Sequence, residues 1–128
     1  MIRAAVLAVL LFALPAHAFD LQGHRGSRGL APENTPPGWQ KALELGVDTI
    51  ECDMAVTRDG VVAVYHDQRL NPDITRGPDG KWLEGPGPYL NALTFDELQK
   101  YDVGRLKPGT KYASDFPEQK PADGTRIP

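Results

Sequence analysis

The chain is nearly without cysteine. Cys52 is the single one among 128 residues, so no internal disulfide can brace the fold, even in an oxidising compartment. It lies between two acids with no basic neighbour to activate a thiol, and reads as a small buried side chain. A second long apolar run is also missing: nothing beyond residue 18 resembles a membrane span. Excess basic charge is absent too. Lys and Arg number 14 against 17 Asp and Glu, a net charge of -3, which argues against nonspecific nucleic-acid binding, since that relies on basic patches. There is no internal repeat and no low-complexity tract.

The apolar run that does exist stands at the start. Arg3 supplies a positive charge, Ala4 to Leu14 are apolar, and Ala16-His17-Ala18 has the A-x-A form of a cleavage site. The run predicts a signal peptide over residues 1–18, cleaved after Ala18 to leave Phe19 first, with an uncleaved anchor as the alternative. The product is then secreted, and periplasmic if the source is Gram-negative.

From Phe19 onward the pattern is that of an α/β protein. Phe19 to Gly23 suits a strand leading into His24-Arg25-Gly26. After a loop to Pro32, Thr35 can cap a helix, Pro36 can occupy its first position and Gly46 can end it. Trp39, Ala42, Leu43 and Leu45 give that helix an apolar side. Val47 to Val56 reads as a strand whose apolar residues alternate with Glu51 and Asp53. Asp59-Gly60 is a hairpin signal, and Val61 to Tyr65 returns as a strand ending at His66-Asp67. Glycine (13) and proline (12) are abundant, and they crowd Asn71 to Tyr89, which reads as a long ordered loop. Thr94-Phe95-Asp96-Glu97 is a capping box opening a short helix through Tyr101. Lys107 to Pro128 has no strong period.

Glu51 and Asp53, two apart on a strand, share a face. Two neighbouring carboxylates repel unless a positive group sits between them, and a hard divalent cation, Ca2+ ahead of Mg2+, suits oxygen donors. A solvated strand face is the alternative. A two-residue Asp59-Gly60 turn would pair Arg58 with Val61 and set Asp53 opposite His66. His66 would then sit beside the acidic pair, where a neighbouring anion holds its proton longer, as suits a general acid. A bulge would shift that register by one. In His24-Arg25-Gly26, arginine can grip phosphate, histidine can move protons near neutrality and glycine lets backbone approach a ligand. Glu33 and Asn34, at the helix start, could hold Arg25 or line the site. Lys81, Trp82 and Tyr89 could cover substrate or simply pack their loop.

Taken in order, His24-Arg25-Gly26, Ala31-Pro32-Glu33-Asn34-Thr35, Ile50-Glu51-Cys52-Asp53-Met54, Thr57-Arg58-Asp59-Gly60 and Val64-Tyr65-His66-Asp67 resemble the motifs of the glycerophosphodiester phosphodiesterase family. The resemblance implies a TIM (β/α)8 barrel, with first elements and catalytic motifs over 19–67, a family-type insertion over 68–122 and a return toward the barrel over 123–128. It implies His24 and His66 as the acid–base pair, Arg25 on the substrate phosphate, Glu33 and Asn34 in support, and a divalent cation on Glu51 and Asp53. An acidic metal ligand from a later strand has no position in this chain.

The expected activity is metal-dependent hydrolysis of a small-molecule glycerophosphodiester to glycerol 3-phosphate and an alcohol. Alternatives are a phospholipase-type phosphodiesterase on the same barrel and a noncatalytic remnant. A closed barrel takes about 200 to 250 residues, so the barrel is expected to be incomplete in this chain, and residues 19–128 alone to be poorly folded and inactive.

Overall fold

The computed structural model describes residues 19–128; the leader expected over 1–18 lies outside the described residues. β1 (Gln22–Gly23) and β2 (Thr49–Ile50) pair in parallel, with Gln22 opposite Thr49 and Gly23 opposite Ile50. Parallel strands need a crossover, and α1 (Pro36–Leu45) supplies it. Its ends follow the sequence signals. The Thr35 hydroxyl accepts from the Gly38 amide, Pro36 opens the helix, and Gly46 closes it in the left-handed conformation. The expected apolar side is only partly used: Ala42 is buried, Trp39 is half-buried, and Leu43 and Leu45 are exposed.

The strand expected over Val47 to Val56 is interrupted. It divides into β2 and β3 (Met54–Val56), which belong to two different sheets, with residues 51–53 between them. Glu51 and Asp53 therefore occupy a crossing point rather than a regular strand face. β3 pairs antiparallel with β4 (Val62–Val64), Met54 opposite Val64 and Val56 opposite Val62.

This register is one residue away from the expected one. Thr57 closes the ladder against Val61, and Arg58-Asp59-Gly60 form a three-residue loop with Gly60 at φ 81°. That positive φ is the conformation such a loop asks of its last residue, and glycine adopts it without a Cβ clash. The Thr57 hydroxyl fastens the loop by bonding to Asp59 and to both backbone polar groups of Val61. Asp53 thus lies across from Tyr65, whose amide donates to the Asp53 carbonyl at 3.0 Å, and not across from His66.

The two faces of the hairpin differ in exposure. Met54, Val56 and Val62 are 72%, 55% and 56% exposed, whereas Ala63 and Tyr65 are buried. The insertion covers the second face. Leu70, Ile74, Leu90, Leu98, Val103 and Ile127 join Ala63 and Tyr65 in one core. The proline- and glycine-rich stretch is therefore a packed layer. It contains a 3-10 turn (Leu90–Ala92), α2 (Phe95–Leu98) and α3 (Lys111–Asp115). The Thr94 capping box forms with both reciprocal bonds, but the α-helix stops at Leu98 rather than Tyr101. α3, capped by Thr110, arises in a segment with no legible period. Trp82 packs beneath Arg76 within the insertion, and Tyr89, beneath Arg69, also lines the cavity that His66 borders. Cys52 is half-buried and unpaired.

The chain's return is fastened by charge. Arg76 bonds to Asp102 (2.5 Å) and Asp123 (2.7 Å), and Arg105 grips Asp123 through two nitrogens. The Pro128 carbonyl then accepts from the Val64 amide beside β4. The bonds from Arg105, with the charges of Arg76 and Arg105, hold the Asp123 carboxyl down from 3.8 to about 2. Burial alone would raise the Asp102 carboxyl, but amide bonds from Gly104 and Gly124, with Arg76, outweigh it and lower the pKa.

Clamp and core can each be tested by urea titration. Because both clamp carboxyls are depressed in the folded state, their contribution is complete above the ordinary value of 3.8 and is lost as pH falls below it, for Asp123 through about 2. Urea midpoints should therefore drop between pH 4 and pH 2, and Asp123→Asn should flatten the drop. Leu98→Ala, at a fully buried position, should cost about 2–5 kcal/mol in the same titration at neutral pH.

Candidate active site

The β1–α1 loop and the β2–β3 crossing meet at one place. Gly26 donates to the carbonyls of Gly23 and Glu51, both at 3.1 Å, which turns the loop back over the strand end. Only glycine fits there: its φ is 87°, and an added Cβ would lie 2.9 Å from the Gly38 carbonyl carbon. Arg25 and Asn34 also take positive φ, 53° and 54°. For a residue with a side chain this region is costly and needs support. The Asn34 amide supplies some by donating to the Arg25 carbonyl at 2.9 Å.

This backbone brings four of the expected residues together around Arg25. The Arg25 amide donates to Glu51 Oε2 at 2.8 Å. Arg25 Nη1 bonds to Glu33 Oε1 at 2.9 Å, and its Nε lies 3.5 Å from Asp53 Oδ2. Asn34 is paired with Asp53 twice: its side-chain amide donates to Oδ2 and its oxygen accepts the Asp53 amide. Arg25, Glu33 and Asn34 are each at least 92% removed from solvent. Burial pulls the Arg25 guanidinium down, but Glu33, by charge and hydrogen bond, and then Tyr112 and Asp53 outweigh it, and the net pKa is raised. Arg25 is therefore permanently charged.

The histidines are placed differently. His24 is exposed, with Nε2 4.0 Å from Glu51 Oε2. It lines a cavity of about 550 Å³ together with Ser27, Arg28 and Phe116. His66 lines a second cavity of about 470 Å³ with Met54, Gln68, Tyr89 and Asn91. Its Nδ1 lies 2.7 Å from Asp67 Oδ1, and Asn71 holds the other Asp67 oxygen. Among the described residues no hydrogen bond or ion pair joins His66 to Glu51 or Asp53.

The donor set suits a hard cation in part. Oε1 of Glu51 and Oδ1 of Asp53 accept no hydrogen bond among the described residues, and carboxylates outnumber guanidinium groups around them. Among the described residues no three His, Cys, Asp or Glu side chains converge on one point. From the described residues a cation here would take these two carboxylates alone, and its remaining positions would fall to other oxygen donors.

Sequence reading missed three contributors. Tyr112 donates its hydroxyl to Glu33, and Arg28 stacks on Phe116 with its guanidinium carbon 4.6 Å from the ring centre. All three lie outside the motifs. The one local signal for α3 was Thr110 as a cap, and it says nothing about contact with Glu33, 79 residues away.

A strand-end loop and a carboxylate pair at the C-terminal edge of a parallel unit are the placement used by (β/α) barrel enzymes. The sequence profile of the Glycerophosphoryl diester phosphodiesterase family matches residues 24–126, and the chain belongs to that family. It is similar to the glycerophosphodiester phosphodiesterase of Caldanaerobacter subterraneus subsp. tengcongensis, 36% identical over 92 residues, covering 72% of this chain and 33% of the relative. It is also similar to the enzyme of the same name from Bacillus altitudinis, 50% identical over 80 residues, covering 62% and 29%.

Among solved structures, a glycerophosphoryl diester phosphodiesterase homologue from Silicibacter pomeroyi DSS-3 superposes with a TM-score of 0.82 at 38% identity, over 85% of this chain and 37% of that one. A phosphodiesterase from Oleispira antarctica, solved with its product sn-glycerol-3-phosphate, gives 0.58 at 26%, over 85% and 36%. The chain spans about a third of the length of these curated relatives. The described residues are a partial (β/α)8 barrel with the family's insertion, and no closed barrel forms among them. No helix among them is long and apolar enough to cross a membrane.

Asn34 offers the sharpest test of this architecture. Asn34→Ala and Asn34→Gly both lose the two Asp53 bonds, which should cost about 1–3 kcal/mol. Glycine also relieves the left-handed backbone, so it should be the more stable of the two by thermal melting.

Proposed function

We propose that this chain carries the opening half of the active site of a glycerophosphodiester phosphodiesterase. The reaction is hydrolysis of a small, soluble glycerophosphodiester to glycerol 3-phosphate and an alcohol. The observation that carries this reading is the convergence of His24, Arg25, Glu51 and Asp53 on one strained loop. The product bound by the Oleispira antarctica relative supports the choice of substrate.

In this reading Glu51 and Asp53 would hold a divalent cation, Ca2+ ahead of Mg2+. When bound, it neutralises phosphate charge and makes a hydroxyl nucleophilic. Arg25 has Nε and Nη1 turned to carboxylates, Nε buried and without a hydrogen bond, while Nη2 has no hydrogen bond among the described residues. That nitrogen meets the phosphate. Glu33 and Asn34 keep Arg25 and Asp53 in place. His24, beside Glu51, takes the proton of the attacking hydroxyl. His66 protonates the leaving alcohol, and Asp67 on Nδ1 leaves Nε2 to carry that proton. Attack by a substrate hydroxyl gives a cyclic phosphate, whereas attack by water does not; a transient cyclic product separates the two routes. The leader predicted over 1–18 accords with export, and sequencing of the mature N-terminus should begin at Phe19.

In the full-length gene product, His24→Ala or His66→Ala should lower kcat by roughly a hundredfold to ten-thousandfold with the melting temperature nearly unchanged. A chelator should abolish turnover, and Ca2+ should restore it better than Mg2+. Near-normal turnover in either histidine variant would remove that residue from the mechanism. Turnover indifferent to chelation would remove the cation.

A further inference from the structure

The insertion reaches the active site through one side chain. Glu33 is buried, and its two oxygens are divided: Oε1 takes Arg25 Nη1 at 2.9 Å, and Oε2 takes the Tyr112 hydroxyl. Arg28 Nε is also near, 4.0 Å from Oε2, buried and without a hydrogen bond. A buried carboxylate with a spare oxygen would turn toward such a donor. The Tyr112 hydroxyl occupies that oxygen, so Glu33 stays aligned with Arg25.

Tyr112 is itself held firmly. Its ring packs edge-on against Phe116 at 5.4 Å, and Arg28 covers both rings. The segment is tied to the loop after Arg25 by Gln119, which donates to the Arg28 carbonyl at 2.7 Å, and by the Lys120 amide, which donates to the Leu30 carbonyl at 2.9 Å. Burial, then the bond to Glu33 and its charge, push the Tyr112 phenol up, so the hydroxyl keeps its proton as donor at any physiological pH.

We propose that Tyr112 is a positioning residue for substrate phosphate: by holding Glu33 it sets the angle of the Arg25 guanidinium and keeps Nη2 open to the anion. The proposal rests on the phosphodiesterase reading for its substrate. It gives the insertion a part in phosphate binding, separate from packing the hairpin. Arg25 would meet the phosphate in the ground state as well as the transition state, so the effect falls on KM.

The test is steady-state kinetics on glycerophosphocholine with the full-length gene product. Tyr112→Phe keeps the ring stack and removes only the hydroxyl. It should raise KM about tenfold, the worth of one hydrogen bond to a charged group, and leave kcat and the melting temperature nearly unchanged. Glu33→Gln should raise KM similarly, and the double variant should be no worse than the weaker single one, because both act on one relay. A wild-type KM in Tyr112→Phe, a lowered melting temperature with unchanged kinetics, or multiplying effects in the double variant would each overturn the relay. If the wild type hydrolyses no diester, the functional reading fails by itself, and binding of inorganic phosphate by calorimetry decides the relay. About tenfold weaker binding by Tyr112→Phe would support it; equal binding, or none by the wild type, would overturn it.

Discussion

A single buried guanidinium organises this structure. Arg25 is 8% exposed, and a charge so placed must be compensated on every side it shows to the protein. Glu33 and Asp53 provide that compensation, and each is reached from a different part of the chain. Glu33 stands at the entry to α1, and Asp53 stands where the chain leaves one sheet for the other. The requirement to surround Arg25 thus links loop, helix start and strand crossing. It also accounts for the two left-handed residues: with Arg25 at φ 53° and Asn34 at φ 54°, the amide of one reaches the carbonyl of the other while both side chains reach Asp53. Backbone strain of this kind persists where the surroundings over-determine it, and such places tend to be functional.

The break between β2 and β3 has the same logic. An unbroken strand would carry Glu51 and Asp53 on one face of one sheet. The interruption lets Glu51 receive the Arg25 amide and Asp53 receive Asn34, and it frees one oxygen of each. Two carboxylates near each other are held by donors from the loop rather than left to repel. The hairpin beyond the break then serves two purposes. Ala63 and Tyr65 anchor it to the insertion, and His66 and Asp67 extend past its end. The insertion is more than a connection, since its apolar residues form the main core among the described residues and its Tyr112 touches Glu33.

Much of this was legible from local pattern. The Thr35 cap, Pro36 and Gly46 marked α1 because helix ends have few chemical solutions. The Thr94 box marked α2 for the same reason, although the α-helix ends at Leu98. The ordered motifs pointed to the family, and its sequence profile agrees over residues 24–126. The hairpin register was misjudged by one because Asp59-Gly60 suits both a two-residue turn and the last part of a three-residue loop. The Thr57 hydroxyl, bonding to Asp59 and Val61, favours the second. Apolar alternation along β3–β4 cannot say which face the insertion will cover.

By itself, then, the sequence determined the local conformations and the cast of chemical groups: capped helix ends, a helix following the first strand, two histidines, an arginine and a carboxylate pair. Those depend on interactions within a few residues or on the identity of side chains. Tertiary structure alone decided which groups meet. The pairing of Arg25 with Glu33 and Asp53, the pairing of Asp53 with Tyr65 rather than His66 and the contact of Tyr112 with Glu33 across 79 residues arise from burial and long-range packing. A buried charge recruits whatever partners the closed fold brings within about 3 Å, and local sequence carries no record of that distance.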